Sequence, residues 1–327
     1  MKTLIIAREE VAKVLTPSEA IRTVQKAFKA YGLKQVDMPA KTYLCFKKGD
    51  LRAMPAYVHG QGLDIAGIKS VSVHPENRRY KLPTVTGVII LTDPRNGYPL
   101  AILDGTYLTN MRTGAAGALA AKLLSRHDAK TAGFVGCGDQ ARTQLECLLK
   151  VRRLSRVIVW ERSPKSRSAQ QFCSWAKETY GLEVARVSEI DEATLDVDIL
   201  VTTTPSREPL VSKVSPGVHI NAIGADAEGK QEISPRIMRR AKIVIDDWNQ
   251  ASHSGEINVP LRKRQLARRD IYAELGEIAA GMREGRASKE EITLFDSTGL
   301  AIQDVTCAFT VYNYYRDKDE CLRIDLI

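Results

Sequence analysis

The sequence has no apolar run long enough to cross a bilayer, which takes about 18 uninterrupted residues. Its opening MKTLIIAREE holds only the four apolar residues 4–7 before charge resumes, short of a secretory core of about 7 residues or more. Neither a membrane span nor a leader is expected, and a cytoplasmic protein is. Cysteine is sparse: Cys45, Cys137, Cys147, Cys173, Cys307 and Cys321 form no C-x-x-C pair. That excludes metal-finger ligand sets and a disulfide-stapled module, and implies reduced thiols. The five histidines are isolated and have no ligand spacing, so no metal site is expected. No low-complexity tract or solenoid-length repeat is present, which excludes disordered and repeat architectures. The formal charge of +9 is carried partly by PLRKRQLARRD (260–270) and RSPKSRS (162–168), and neither run contains an aromatic residue. A stacking nucleic-acid binder is therefore not expected. The excess reads as solvated basic surface, which also attracts anionic cofactors and substrates.

At 327 residues the chain exceeds the roughly 250–300 residues one core serves, so two lobes are predicted. TPSEAIRTVQKAFKAYG (16–32) reads as a helix with Thr16 and Glu19 as a capping box, Pro17 in the first position and Gly32 at the stop. Residues 40–103 break into β-prone runs, KTYLCF, IAGIKSVSV, TVTGVIIL and PLAILDG, with DPRNG (93–97) as a turn. A mostly antiparallel α+β lobe follows from that pattern. The small-residue helix YLTNMRTGAAGALAAKLLS (107–125) comes next. From residue 131 strands and helices alternate: TAGFVGCGDQARTQLECLLK, RVIVWE, SPKSRSAQQFCSWAKETYG, LEVARV, DILVTTT, VHINAIG, AKIVIDD and ITLFDSTG. This alternation predicts a Rossmann-type, doubly wound parallel sheet.

Within that half, Gly136-Cys137-Gly138-Asp139-Gln140-Ala141 reads G-x-G-x-x-A between a strand and a helix, where glycines admit a pyrophosphate to the helix N-terminus. The next strand ends at Glu161, placed to bind a ribose 2′-hydroxyl and repel a 2′-phosphate. NAD is the expected cofactor; Arg162 beside it could receive the extra phosphate of NADP. Thr202 and Thr203 end a strand, where they either line the cofactor or simply suit a sheet. Asp226 follows the strand ending near Ile223 and Gly224, as a proton acceptor or a turn residue. In the first lobe Lys69 sits among apolar residues and needs a partner or ligand if it points inward. Arg52 suits a carboxylate or a surface ion pair, and Arg112 a carboxylate or the cofactor phosphates.

The ordered motifs RAMPAYV, LPTVTG, MRTGAAGALAAK, GFVGCGDQARTQLE, DILVTTTPSREPLV, HINAIGADAEGKQE, GEINV and EEITLFDSTGLAIQDV resemble the ornithine cyclodeaminase/mu-crystallin family, and within it the archaeal-type alanine dehydrogenases. The resemblance implies a homodimer with a discontinuous substrate and dimerisation domain, 1–126 with 300–327, and a dinucleotide domain, 127–299. It implies Lys69 and Asp226 as the catalytic pair and Arg52, with Lys69 and Arg112, on the substrate carboxylate. Thr84, Arg112, Thr113, Ile223, Gly224, Lys230 and Ser297 are expected near cofactor or substrate. The implied reaction is NAD-dependent oxidative deamination of a small L-amino acid such as alanine, and its reversal from the keto acid. A cyclodeaminase-type lyase, an imine reductase and a ligand-binding protein of the mu-crystallin kind are the alternatives.

Overall fold

A computed structural model describes residues 2–163 and 165–326. In chain order its elements begin with β1 (Thr3–Ile6), α1 (Arg8–Val14), α2 (Pro17–Gly32), β2 (Val36–Asp37), β3 (Thr42–Phe46), β4 (Gly49–Val58), β5 (Ile65–Val73), β6 (Val85–Thr92), β7 (Pro99–Asp104) and α3 (Gly105–Leu124). Next come β8 (Thr131–Val135), α4 (Asp139–Val151), β9 (Arg156–Trp160), α5 (Arg167–Tyr180), β10 (Glu183–Val187), α6 (Ile190–Thr194), β11 (Ile199–Thr202) and β12 (His219–Ala222). The chain ends with α7 (Pro235–Met238), β13 (Ala241–Ile245), α8 (Trp248–Ser254), α9 (Asn258–Arg262), β14 (Ile271–Glu274), α10 (Leu275–Ala279), β15 (Ile292–Asp296), α11 (Ala301–Tyr315) and β16 (Leu322–Ile324). Among the described residues no helix is long and apolar enough to cross a membrane.

Two compact units emerge, Met1–Arg112 with Leu300–Ile327, and Thr113–Gly299. The division falls inside α3 rather than after residue 126, because the second half of that helix bonds into the second unit. Gln144 Nε2 donates to the Thr113 carbonyl at 2.9 Å and Asn221 Nδ2 to that of Gly117 at 3.0 Å.

In the first unit the sheet runs β16-β1-β7-β6-β5-β4-β2, with β3 also on β4. It is antiparallel except where β1 lies parallel to β7. Strand β4 alternates strictly, burying Arg52, Met54, Ala56 and Val58, as one face of a half-covered sheet should. The covering element is α11, packed across β4, β5 and β6 and against α2. The Thr16 side chain caps α2 by accepting from Glu19 N.

The second unit's sheet is parallel throughout, ordered β10-β9-β8-β11-β12-β15-β13-β14. Apolar clusters cover both faces: Phe134, Val157, Val159 and Val201 point to one, Val135, Ile158, Leu200 and Ile220 to the other. Continuous apolar strands are the sequence consequence of that double burial. The order reverses between β8 and β11, the switch point where such sheets bind ligands. Strand β11 stops at Thr202, two residues before the predicted end, because Thr204 N is drawn to the Glu232 carboxylate at 2.6 Å. Helix α5 starts at Arg167, where Ser166 Oγ accepts from Ala169 N; Pro164, in the predicted helix, lies outside the described residues. His219 is a core residue, its ring nitrogens against Thr293 Oγ1 and Asn221 Oδ1. Burial, with Arg286 nearby, holds its pKa down to about 3, so the ring is neutral.

Candidate active site

The parallel register of the second unit sets Val135, Trp160, Thr202, Ala222 and Asp296 side by side. The residues that follow them, Gly136, Glu161, Thr203, Ile223 and Ser297, therefore share one edge of the sheet. Gly136 takes φ +97°, and a Cβ there would lie 2.9 Å from Thr204 Cγ2, so glycine is required on both counts. Gly138 caps α4 without a side-chain hydrogen bond, and a Cβ on it would meet nothing within 4 Å. The first-turn N–H groups of α4, lacking a side-chain cap and fronted by open space, suit a pyrophosphate. Asp139, Gln140 and Ala141 form that first turn, with Ala141 N bonded back to the Gly138 carbonyl.

Glu161 is drawn against the turn, accepting from Cys137 N at 3.2 Å. It borders a cavity of about 430 Å³ lined also by Trp160, Arg162, Thr204, Ser206 and Arg207. A carboxylate at this wall selects for a free ribose diol, and the two arginines leave a phosphate alternative in reach. Thr203 Oγ1 donates to the Gly136 carbonyl, tying β11 to the turn at the switch point. Thr202 does not line the cavity: it is fully buried and its hydroxyl donates to Glu232 Oε2 at 2.8 Å. Ser297 Oγ is buried with no hydrogen-bond partner among the described residues.

Asp226 and Lys230 lie on the loop after β12 and pair at 2.5 Å. That loop is fastened from beneath. Gly224 N and Thr204 N both donate to the buried Glu232 carboxylate. Asn258 accepts from Gly229 N and donates to the Lys230 carbonyl. The half-buried Asp226 carboxylate thus stands on a rigid base, a strand-end arrangement suited to proton transfer.

A second polar cluster lies in the first unit. Arg52 opposes Val71 and Met54 opposes Lys69, which makes Arg52 and Lys69 diagonal neighbours on one sheet face. Arg52 is held by Asp50 through Nε and Nη2, and its guanidinium lies 5.3 Å from the Tyr43 ring centroid. Lys69 is completely buried, with Nζ 2.7 Å from Asp304 Oδ2. The contact is short but poorly directed, since neither atom makes a well-formed hydrogen bond. Arg112 donates from Nε to Asp304 Oδ1 and from Nη1 to Gln303 Oε1, both at 2.9 Å. Gln303 Nε2 is also buried, with no hydrogen-bond partner among the described residues. Buried donors lacking acceptors are costly, and a ligand carboxylate is the acceptor this set fits. Burial, followed by the charge of Arg112, lowers the Lys69 pKa to about 7. Thr84 precedes β6, where its carbonyl accepts from His74 N.

A sequence profile of the ornithine cyclodeaminase/mu-crystallin family matches residues 1–319. The chain belongs to that family. Alanine dehydrogenase of Archaeoglobus fulgidus is 48% identical over 321 residues, spanning 98% of this chain and 97% of that one. An archaeal alanine dehydrogenase dimer with bound NAD superposes at TM-score 0.95, with 46% identity and 100% of both chains covered. Thermococcus litoralis Delta(1)-pyrroline-2-carboxylate reductase, solved with NADH and L-proline, gives 0.93 at 35% identity, covering 98% and 99%.

Several supporting residues of this ornithine cyclodeaminase/mu-crystallin chain are not evident from the sequence. Asp304, Gln303, Glu232 and Glu256 each lie within motifs that point to a family and not to these side chains. The available signal was a carboxylate within an apolar stretch, as in LAIQDVTCAF, because an interior acid requires a partner. Glu256 Oε1 accepts from Glu232 N and Ile233 N. Burial, with Glu232 and Asp296 close by, drives its carboxyl well above the ordinary range. Glu256→Gln is expected to cost less than about 1 kcal/mol, since the amide keeps the accepting oxygen. Glu256→Ala is expected to cost about 2–4 kcal/mol by stranding two buried N–H groups. Denaturant titration of both variants checks the contrast.

Proposed function

We propose that the protein is an NAD-dependent amino-acid dehydrogenase that converts L-alanine and water to pyruvate and ammonia, and runs the reverse reductive amination. The observation that carries the chemistry is Lys69: a buried amine 2.7 Å from the Asp304 carboxylate, with a pKa lowered to about 7, near the optimum for proton transfer. The choice of alanine is supported by the full-length likeness to the Archaeoglobus enzyme.

Gly136, Gly138 and the first turn of α4 would hold the pyrophosphate of NAD and Glu161 its ribose, and the nicotinamide would supply the acceptor for the hydride that leaves the substrate Cα. Arg52 and Arg112 anchor the substrate carboxylate, which fixes the orientation of Cα and supplies the entropic part of the catalysis. After the amine has become an imine, Asp226 takes a proton from the attacking water. Lys69 polarises the developing carbonyl oxygen. Apolar side chains on the open face of β6, Val88 (45% exposed) and Ile90 (37%), with Leu44 on β3 (56%), support a homodimer through this unit.

Reduction of a cyclic imine carboxylate is the second reading, favoured by the likeness to the pyrroline-carboxylate reductase. The test follows absorbance at 340 nm and ammonia together, with NAD and a panel of L-amino acids. Alanine is expected to raise both signals. Ammonia from ornithine without net absorbance would mean a cyclodeaminase. Silence in both signals with oxidation of NADH by cyclic imines would establish the second reading, and silence throughout with tight ligand binding would indicate a binding protein.

A further inference from the structure

We propose that Asp304 is a positioning residue that grips Lys69 and Arg112 with the two oxygens of one carboxylate and sets the proton affinity of Lys69. The inference rests on the reading of Lys69 as a proton-transfer group and adds what tunes it. Its geometric basis is a cluster built from three separate elements of the first unit. Lys69 comes from the middle of β5, Arg112 from α3 and Asp304 from the first turn of α11. Asp304 is fully buried, with Oδ1 accepting from Arg112 Nε at 2.9 Å and Oδ2 at 2.7 Å from Lys69 Nζ. Gln303, the preceding residue, braces the same guanidinium from its Oε1.

Charge balance explains why the position matters. With Lys69 protonated the cluster holds two cations and one anion; with Lys69 neutral, Arg112 and Asp304 compensate each other. The buried site therefore favours loss of the Lys69 proton, and Asp304 opposes that loss. Burial and Arg112 pull the Lys69 pKa down, Asp304 pulls it up by charge and by contact, and Lys41 pulls it down weakly. Arg52, the diagonal neighbour on β4, is paired with Asp50. Asp304 also lies in the first turn of a 15-residue helix, where the helix dipole favours an acid. Without its carboxylate, Lys69 would face Arg112 uncompensated and would be neutral over most of the working range.

The experiment reads the proton affinity directly, without relying on turnover. Lys69 has a folded pKa below its unfolded value. The unfolded chain therefore binds the extra proton between those values, and Lys69's contribution to stability rises with pH across that window. Comparing the stability of the full chain with that of Lys69→Met, from about pH 5 to pH 10, locates the lower edge of the window, expected near 7. Repeating the comparison in an Asp304→Asn background is expected to move the edge down by one pH unit or more, a tenfold change in proton affinity. Asp304→Glu is expected to restore most of it. The alkaline limb of kcat/KM for amino-acid oxidation, set by loss of the Lys69 ammonium that polarises the carbonyl oxygen, should move with the edge. An edge that stays in place in Asp304→Asn overturns the inference even if the enzyme oxidises alanine. An edge that moves in a protein that oxidises no amino acid leaves the inference standing and overturns the proposed function. If Asp304→Asn does not fold, the comparison is made in Asp304→Ser, which also lacks the carboxylate: an edge moved down supports the inference, and an edge that stays near 7 overturns it.

Discussion

Lys69→Met is expected to lower kcat/KM for oxidation of the amino acid by about 10³-fold, within the range a positioned acid or base contributes, while NAD binding stays unchanged. Methionine retains the length and apolar stem of lysine, so the face of β5 beneath α11 remains filled. What disappears is a group able to exchange a proton near neutrality. The loss should fall on kcat more than on KM if Lys69 acts mainly on the reacting oxygen. It should fall equally on KM if Lys69 also holds the carboxylate, because that contact is made in ground and transition states alike. Steady-state kinetics with a tryptophan-fluorescence titration of NAD check both halves of the prediction. A kcat/KM within tenfold of the wild type would remove Lys69 from the chemistry.

The parts of this arrangement visible in the sequence are those with a local cause. The turn 136–141 is legible because pyrophosphate binding requires glycine at fixed offsets between strand and helix, and the structure puts it at the switch point of the sheet. Glu161 and Thr203 follow apolar strands, and a parallel register brings strand ends to one edge; Ser297 shares that edge but is expected only from the family resemblance. The Lys69 environment is only half legible. Its flanking apolar residues announce burial, but the partner is Asp304, 235 positions away on α11, and no local pattern predicts which acid returns to that strand. Thr202 shows the opposite error. A hydroxyl at a strand end looks like a cofactor contact, yet Glu232, which binds it, comes from a loop whose path depends on tertiary packing. The residue within α3 at which the units divide is hidden for the same reason. A helix shows its ends in sequence, but not the residue at which its packing partners change.

Asp226→Asn is expected to reduce kcat/KM by about 10³-fold, equivalent to about 4 kcal/mol of transition-state stabilisation, with little change in stability. The near-isosteric amide can still sit over Lys230, but it cannot take a proton from water. Stability should hold because the loop is fixed by Glu232 and Asn258 rather than by Asp226 itself. Lys230→Met separates the two partners of the 2.5 Å pair: if the ion pair orients the Asp226 carboxylate, kcat/KM falls without abolishing turnover. A variant that keeps more than a tenth of wild-type kcat/KM would return Asp226 to the status of a turn residue. The double variant Lys69→Met with Asp226→Asn then decides how the two work together. Groups acting on one step as a unit lose little more in combination than singly, whereas groups serving separate steps multiply their losses. A combined loss near 10³-fold would place both on the same proton transfer. One approaching about 10⁶-fold would assign Asp226 to the attacking water and Lys69 to the carbonyl oxygen independently.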